Sequence, residues 1–454
     1  MIISPDGSIV SAEEFNWAGS EDLKVFCSHE ISGSGEVKEA PAHVKMMQQL
    51  ELVDYEPAAD SGNFRWLPKG HLIKRLMESH ASEIVKGYGG MQVETPIMYD
   101  FNHPQLAGYL KRFPARQYHL LSGDKKYFLR FAACFGQYLI MHDMGISYHH
   151  LPVRIYELTH YSFRREQAGE LAGLRRLRGF TMPDMHSLCA DVKQAKEEFY
   201  QQYLLCKKWM SDLELNHVMA IRVVDDFFQK NRDFILGIVK DFGQPVLFET
   251  WKERFFYFIL KFEFNVIDGQ KKAAALSTVQ IDVENARRFE IHYVDKDGKQ
   301  QYPLLLHASI SGSIDCNLYA LLEQQARRMK KGENTRLPYW LCPVQVRLIP
   351  VAERHLSRCL EIASQMRARV EIDDRKETVG RKIREAEVNW IPFAGMIGDK
   401  EIENQTIAVR ERGVSGQKKL KEYEFSQSLN QFQGNKPFEP LSWPNLLSKQ
   451  PRFR

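Results

Sequence analysis

The segment from Tyr161 to His186 constrains this chain more than any other. It reads YSFRREQAGELAGLRRLRGFTMPDMH, with apolar, aromatic-containing strips on both sides of a polar loop that contains glycine. This pattern predicts a β-hairpin. Five arginines fall in two groups beside the strips: Arg164, Arg165, Arg175, Arg176 and Arg178. Inward guanidiniums suit a triphosphate, because their planar fork meets phosphate and carboxylate oxygens bidentately. A solvated basic hairpin is the alternative, since surface arginines are common.

Length and composition limit the class of protein. A chain of 454 residues predicts two to three domains. The hydrophobic content of 44% and charged content of 26% are ordinary for a soluble globular protein. The net charge of +4 is compatible with an RNA partner without indicating one. No run resembles a signal peptide or a membrane span, and the seven cysteines are irregularly spaced, so we expect a cytoplasmic protein and no membrane partner.

Changes in composition and in the pattern of apolar residues divide the chain into three regions. Residues 1–45 are expected to be a linker-like segment, because SGSGEVKEAPAHVK is polar and punctuated by glycine and proline. Residues 46–335 alternate helical and strand patterns. Residues 336–454 alternate strands with helices and end in a tail, which predicts βαβ units on a mostly parallel or mixed sheet. The predicted fold class is α/β (α+β).

Periodicity predicts several elements individually. Helices are predicted over 71–90, 191–215, 314–331, 355–369 and 377–388; strands over 91–99, 344–351, 391–399 and 406–412; and two antiparallel strands within 261–283.

Three residues form a candidate metal site. Cys134, His186 and His307 would supply one thiolate and two imidazoles, leaving a fourth position for a substrate. Their separation along the chain gives no support to this hypothesis. A buried cysteine that packs as a small hydrophobe, with histidines at strand ends, is the alternative that spacing alone favours.

Several motifs together carry a family resemblance. PKGHLIKRLMESHASEIVKGYGGMQVETP, FRRE followed by RRLRGF, and HASISGSID stand in the order of the three class II aminoacyl-tRNA synthetase motifs. FLRFAACFGQ, LRRLRGFTMPDMH and STVQIDVENARRF resemble archaeal-type threonyl-tRNA synthetases, and the C-terminal region resembles their anticodon-binding domain. The resemblance covers essentially the whole chain. It implies a class II antiparallel sheet flanked by helices and a catalytic domain over 46–335, and we expect the family's N-terminal editing domain to be absent.

The resemblance implies roles on the amino-acid side of the site. Cys134, His186 and His307 match the family's zinc ligands, with one zinc expected per subunit. Asp184 matches the carboxylate that accepts from the threonine hydroxyl, and Gln280 matches a polar substrate contact. A site built to bind a hydroxyl rejects valine strongly, whereas serine keeps both the amino and hydroxyl groups.

It also implies roles on the nucleotide side. Arg164 matches the arginine that bridges the threonine carboxylate and the α-phosphate of ATP, and Lys261 matches a lysine near the reacting phosphate. The other matched ATP-binding positions are Glu166 near adenine, Arg176 towards the terminal phosphates, Phe180 stacked on adenine, and Ser313. Magnesium is expected with the triphosphate. Arg165, Arg175 and Arg178 are expected to be neutral or to face RNA.

The third motif departs from the family pattern. The pattern Gly-Ser-x-Glu-Arg reads Gly312-Ser313-Ile314-Asp315-Cys316 here, so Cys316 replaces an arginine that covers adenine. A thiol offers neither charge nor a planar fork. The alternative function is therefore a catalytically weakened paralogue that binds tRNA or threonine but ligates poorly.

The resemblance further implies partners. Glu401 and Arg410 match residues that read anticodon bases, so threonine tRNA is the expected RNA partner, alongside ATP and L-threonine. A homodimer is expected, and a separate protein acting in trans would remove serine attached in error. A zinc-dependent hydrolase is a third hypothesis, but the sequence lacks a general-base glutamate at the helical spacing of a zinc protease.

Overall fold

The computed structural model describes residues 1–32, 40–111 and 114–453. The described strands are β1 (Ile2–Ile3), β2 (Ile9–Val10), β3 (Val53–Tyr55), β4 (Phe64–Trp66), β5 (Met91–Gln92), β6 (Met98–Asp100), β7 (Tyr118–Ser122), β8 (Lys125–Leu129), β9 (Val153–Phe163), β10 (Gly179–Cys189), β11 (Val218–Val224), β12 (Val246–Trp251), β13 (Phe258–Ile267), β14 (Ala273–Asp282), β15 (Tyr293–Val294), β16 (Gln300–Gln301), β17 (Leu304–Ser309), β18 (Val346–Pro350), β19 (Val370–Ile372), β20 (Phe393–Ile397), β21 (Thr406–Glu411) and β22 (Lys418–Lys421).

The described α-helices are α1 (Glu21–Ser32), α2 (Ala42–Gln49), α3 (Pro68–Gly87), α4 (Pro104–Leu110), α5 (Cys134–Asp143), α6 (Val192–Asp212), α7 (Asp225–Lys230), α8 (Arg232–Phe242), α9 (Asn285–Arg288), α10 (Ile314–Lys330), α11 (Leu356–Gln365), α12 (Val379–Val388), α13 (Asp399–Asn404) and α14 (Glu422–Gln433). None of these helices combines the length and hydropathy needed to cross a bilayer.

The chain divides into two compact units. The first comprises the described residues within Met1–Pro41, Glu56–Asn63 and Ala81–Gln324, and the second comprises those within Ala42–Tyr55, Phe64–His80 and Gln325–Arg454. The second unit therefore draws on stretches before residue 335. The functional domain boundaries stay a prediction.

A ten-stranded sheet forms the centre of the first unit. Its strand order is β2-β1-β12-β11-β13-β14-β17-β10-β9-β5. The pairs β11–β12 and β5–β9 are parallel, and the other neighbouring pairs are antiparallel. The predicted hairpin around the arginine loop is present as β9 and β10, and the two strands predicted within 261–283 are present as β13 and β14. The predicted α/β (α+β) fold class is confirmed.

Helix α6 covers one face of this sheet, against β10, β14 and β17. Its buried apolar positions recur every three or four residues, which places them on one stripe of the helix. They are Ala195, Phe199, Tyr203, Cys206, Trp209 and Met210. The helix begins after Asp191, whose side chain accepts a hydrogen bond from the Gln194 backbone nitrogen.

The N-terminal segment differs from the expected linker. Strand β1 pairs with β12, and the side chains of Ile2 and Ile3 are fully buried. Two residues are too short a run for a strand period to be read from the sequence. The polar stretch at 33–39 lies outside the described residues.

The single strand predicted over 91–99 is wrong. Met91–Gln92 joins the central sheet, whereas Met98–Asp100 joins a three-stranded sheet with β7 and β8. Between them, Thr95 is held by the buried ion pair of Arg130 and Glu157. Pro96 lacks a backbone donor, so the chain cannot continue a ladder there.

A five-stranded mixed sheet forms the centre of the second unit, in the order β19-β18-β20-β21-β22. Strands β18, β19 and β20 are parallel, and α11 and α12 connect them in sequence as βαβ crossovers. Strands β21 and β22 add antiparallel pairs. The mixed sheet predicted for the C-terminal region is therefore confirmed. Helices α13 and α14 were not predicted.

Candidate active site

A cleft of about 620 Å³ opens in the first unit, lined by β10, β13, β14, β17, the loop between β9 and β10, and the start of α10. Of the eleven site residues predicted for the catalytic region, ten line it: Cys134, Arg164, Glu166, Arg176, Phe180, Asp184, Lys261, Gln280, His307 and Ser313. The eleventh, His186, is fully buried and contacts His307.

Strand register brings the central side chains together. Lys261 on β13 pairs with Gln280 on β14, Gln280 pairs with His307 on β17, and His307 pairs with His186 on β10. Residues that are directly opposite on neighbouring strands point to the same face of a sheet. These four residues therefore form a cross-strand row on the face that carries the cleft.

The predicted metal ligands converge at one end of this row. The Nδ1 atom of His307 lies 2.6 Å from His186 Nε2 and 3.4 Å from Cys134 Sγ. One ligand atom from each residue lies within 4.8 Å of the others, and all three side chains are buried. A thiol and two imidazoles in this arrangement match the donor set that zinc prefers.

A residue that sequence reasoning missed orients the cluster. Gln137 Oε1 accepts a hydrogen bond from His186 Nδ1 at 2.8 Å, which leaves Nε2 facing the other ligands. Gln137 Nε2 in turn donates to the Asp184 backbone carbonyl at 3.3 Å. The spacing in the sequence could have indicated this role. Gln137 follows Cys134 by three positions, so both side chains lie on the same face of α5.

Burial sets the protonation of the cluster. It lowers the pKa of His307 to about 4, with the charge of Lys261 contributing, and lowers the pKa of His186 well below its usual value. Both rings are therefore neutral, as metal ligation requires. Burial also raises the pKa of the Cys134 thiol well above its usual value, so a cation is needed to stabilise the thiolate.

Two buried oxygens beside the cluster lack hydrogen bonds among the described residues: Asp184 Oδ1 and Gln280 Oε1. Asp184 is 2% exposed and Gln280 7% exposed, and both line the cleft. Burial raises the pKa of Asp184 to about 7. Buried acceptors without partners are destabilising, so these two atoms mark where a ligand with donors fits.

Two guanidiniums of the arginine loop, those of Arg176 and Arg178, are already paired. Arg116 and Arg176 both contact Glu166 and Glu170, forming a four-membered ion-pair network. The Arg116 guanidinium holds the pKa of Glu170 at about 2. Arg178 pairs with Asp60 at 2.6 Å. Arg116 and Glu170 were not predicted as part of the site.

Two other arginines that line the cleft, Arg164 and Arg175, form no ion pair among the described residues. The Arg164 guanidinium lies 5.5 Å from the centre of the Phe180 ring. Both therefore present unneutralised charge to the cleft.

Lys261 is paired within the sheet. Its Nζ atom lies 2.6 Å from Glu263, which also contacts Arg222. Although burial opposes the shift, the charges of Lys261 and Arg222 lower the pKa of Glu263 to about 2. Lys261 thus stays within the cleft with its ammonium group anchored.

The third motif closes the far side of the cleft. Gly312 has φ of +67°, and a Cβ atom there would lie 2.6 Å from the Leu276 carbonyl oxygen, so only glycine fits. Cys316 donates its thiol towards the Leu174 and Arg175 carbonyls at 3.4 and 3.5 Å. The residue in the place of the family's arginine therefore packs against the arginine loop.

The two predicted anticodon residues lie in the second unit. Glu401 caps α13 by accepting from the Gly398 nitrogen at 3.2 Å. Arg410 on β21 pairs with Glu387 at 2.8 Å. Their base-reading roles stay predictions.

Comparisons with known proteins agree with this architecture. Residues 118–325 match the tRNA synthetase class II core domain (G, H, P, S and T), and residues 345–432 match an anticodon binding domain. Among solved structures, the RNA binding domain of threonyl-tRNA synthetase from Cryptosporidium parvum Iowa II superposes with a TM-score of 0.76 at 20% identity, covering 88% of this chain and 99% of that one. Prolyl-tRNA synthetase of Giardia lamblia, in complex with prolyl-adenylate, gives 0.69 at 18% identity, covering 86% and 78%. These likenesses concern the fold alone, which is that of a class II aminoacyl-tRNA synthetase.

Similar proteins of known function identify the family within this class. The threonine–tRNA ligase of Pyrococcus horikoshii is 53% identical over 100% of this chain and 73% of that protein. The threonine–tRNA ligase of Methanosarcina barkeri is 49% identical over 100% of this chain and 72% of that protein. The chain belongs to the threonine–tRNA ligase family.

Proposed function

We propose that this chain ligates L-threonine to threonine tRNA through a threonyl-adenylate. The observation that carries the proposal is the juxtaposition, in one cleft, of a Cys-His-His cluster with unpaired acceptors and unneutralised arginines. The first group of residues suits a small amino acid with a hydroxyl, and the second suits a triphosphate.

The cluster and its neighbours would select threonine. Cys134, His186 and His307 would hold zinc, which supplies a Lewis acid for the amino group and hydroxyl of the substrate. Asp184 Oδ1 would accept from the hydroxyl, and Gln280 would orient the amino acid. Valine offers no donor to Asp184, so binding it would leave a buried acceptor unsatisfied.

The arginine side would position ATP. Adenylate formation joins a threonine carboxylate oxygen to the α-phosphorus and releases pyrophosphate, so charge neutralisation and alignment are the main requirements. Arg164 would bridge the carboxylate and the α-phosphate, and Lys261 would stabilise the reacting phosphate. Phe180 would stack on adenine. Magnesium would enter with the triphosphate.

The other residues proposed to bind ATP already contact one another or the neighbouring backbone. Glu166 would contact adenine, Arg176 the terminal phosphates and Ser313 the nucleotide near the third motif. Because Glu166 and Arg176 are paired with each other, we infer that ATP exchanges these contacts for its own.

In the second step, a hydroxyl of the terminal adenosine of tRNA would attack the activated carbonyl and release AMP. Glu401 and Arg410 would read anticodon bases. The homodimer and the separate editing protein remain predictions from the resemblance, and the cytoplasmic location remains a prediction from the sequence itself.

Threonine-dependent exchange of pyrophosphate into ATP tests the proposal. The purified chain is expected to exchange with threonine and not with valine, and then to charge threonine tRNA. Binding of tRNA or threonine without exchange would instead identify a weakened paralogue.

Cys316→Arg is expected to change the exchange rate by less than about 10-fold, or about 1.4 kcal/mol in activation free energy. The reason is that Arg175, whose carbonyl contacts the Cys316 thiol, already places unneutralised charge at this side of the cleft. In an Arg175→Ala background, the same substitution should increase the rate more than it does in the wild type. A silent wild-type chain that Cys316→Arg restores would support the weakened paralogue.

Gln137→Ala is expected to lower metal affinity by roughly 10- to 100-fold, because His186 loses the acceptor that fixes its tautomer. Competition with a metal chelator measures the affinity. Gln202→Ala is the matched control. Gln202 is as buried as Gln137, but it donates to Ser187, the residue after His186, and not to His186 itself. Equal metal affinity in the two variants would contradict the role of Gln137.

A further inference from the structure

An aromatic cluster with two exposed rings spans the end of β12 and the start of β13. It consists of Trp251, Phe255, Phe256 and Phe258. Phe255 is 64% exposed and Phe256 is 43% exposed. Single exposed apolar residues are ordinary, but rings grouped on a surface mark an interaction site.

The rings of this aromatic cluster contact one another in series. Ring centres lie 4.8 Å apart for Trp251 and Phe255, 4.2 Å apart for Phe255 and Phe256, and 5.1 Å apart for Phe256 and Phe258. The planes of the last pair are only 7° apart. The exposed rings Phe255 and Phe256 therefore lie in the middle of the series, between the half-buried Trp251 and the buried Phe258.

Polar contacts hold this segment in place. Arg254 Nη1 donates to the Phe256 carbonyl at 2.6 Å and pairs with Glu284 at 3.2 Å. Because the backbone at Phe256 is anchored, the exposure of the two phenyl rings follows from the fixed course of the chain.

The aromatic cluster adjoins the cleft. Tyr257, between Phe256 and Phe258, lines the cleft, and Phe258 begins the strand that carries Lys261. The exposed Lys252 follows Trp251 and is separated from Phe255 by Glu253 and the ion-paired Arg254. Exposed rings with a basic side chain nearby, at the edge of the cleft, suit single-stranded nucleic acid, whose bases stack on rings and whose phosphates need cations.

We propose that Phe255 and Phe256 are a stacking platform for the unpaired bases at the 3′ end of tRNA as it enters the cleft. The inference rests on the proposed function, which makes tRNA the acceptor. Stacking on aromatic rings tolerates any base, so this platform contributes affinity and guides the 3′ end, while identity is read elsewhere.

The test compares intact tRNA with tRNA that lacks its unpaired 3′ nucleotides, using the full chain. Phe255→Ala/Phe256→Ala is expected to weaken binding of intact tRNA by about 5- to 100-fold, and to leave binding of the truncated tRNA unchanged. Threonine-dependent pyrophosphate exchange, which needs no tRNA, should stay at the wild-type rate. Failure of exchange in the wild type would count against the proposed function, whereas a failed tRNA comparison would count against the platform alone.

Two further variants separate stacking from other effects. Phe255→Trp/Phe256→Tyr should preserve the preference for intact tRNA, whereas Phe255→Leu/Phe256→Leu should lose it although it keeps apolar area. Tyr148→Ala controls for the loss of an exposed aromatic ring elsewhere on the surface. Tyr148 is 43% exposed and does not line the cleft. Equal weakening for both tRNAs would overturn the proposal. So would a change of oligomeric state without a change in tRNA binding, which would make the aromatic cluster a protein interface.

Discussion

Cys134→Ala is expected to purify without zinc and to lose threonine-dependent pyrophosphate exchange by roughly 100-fold or more. The three ligand atoms lie within 4.8 Å of one another, and removal of the thiol leaves two neutral imidazoles. Two such ligands hold zinc far more weakly than three. Elemental analysis of the purified chain measures the metal, and the exchange assay measures activation of threonine.

The matched control for this prediction is Cys206→Ala. Cys206 is also a buried free cysteine. It lies on α6 and does not belong to the candidate metal cluster. This control should keep about one zinc per chain and normal exchange. A Cys134→Ala protein that is free of metal and fully active would refute the metal site.

Arg164→Ala is expected to reduce the exchange rate by about 10²- to 10³-fold, which is the usual effect of removing one preorganised group that stabilises developing charge. Arg164 lies over the Phe180 ring and has no carboxylate partner among the described residues, so its charge is available to a phosphate. The loss should appear mainly in the rate at saturating ATP rather than in ATP affinity, because the bridging contact strengthens as the bond to phosphorus forms.

Arg165→Ala is the control for Arg164. The two arginines are adjacent and both exposed, but Arg165 lines a separate cleft of about 540 Å³ with Tyr118 and His119. Its loss should leave exchange within a few-fold of the wild type. Arg164→Lys should recover only part of the rate, because an ammonium group keeps the charge without the bidentate fork. Equal effects of alanine at both positions would contradict the assigned role.

Elements with a strong local period could be predicted from the sequence. Helix α6 follows its apolar stripe, and β9 and β10 follow their apolar strips on both sides of the arginine loop. Short elements could not be predicted. Strand β1 has two residues, and the split of 91–99 depends on the Arg130–Glu157 pair, which is distant in sequence from Thr95.

The site residues were matched through the family resemblance, not through spacing. Cys134 and His307 are 173 positions apart, and only the register of β10, β14 and β17 shows that the ligands converge. Ion pairing could not be anticipated either. The sequence offers five similar arginines, whereas the structure separates Arg164 and Arg175 from those already neutralised by Glu166, Glu170 and Asp60.

The cross-strand row also has a consequence for folding. Its members lie at positions 186, 261, 280 and 307, and the third residue of the candidate metal cluster is Cys134, so no local segment contains the site. Pairings between strands so distant in sequence form slowly, since loop closure must come first. During synthesis, the last ligand emerges only with β17, after the other strands of the row. If the proposed site binds zinc, metal uptake would therefore report that the sheet has closed in its native register.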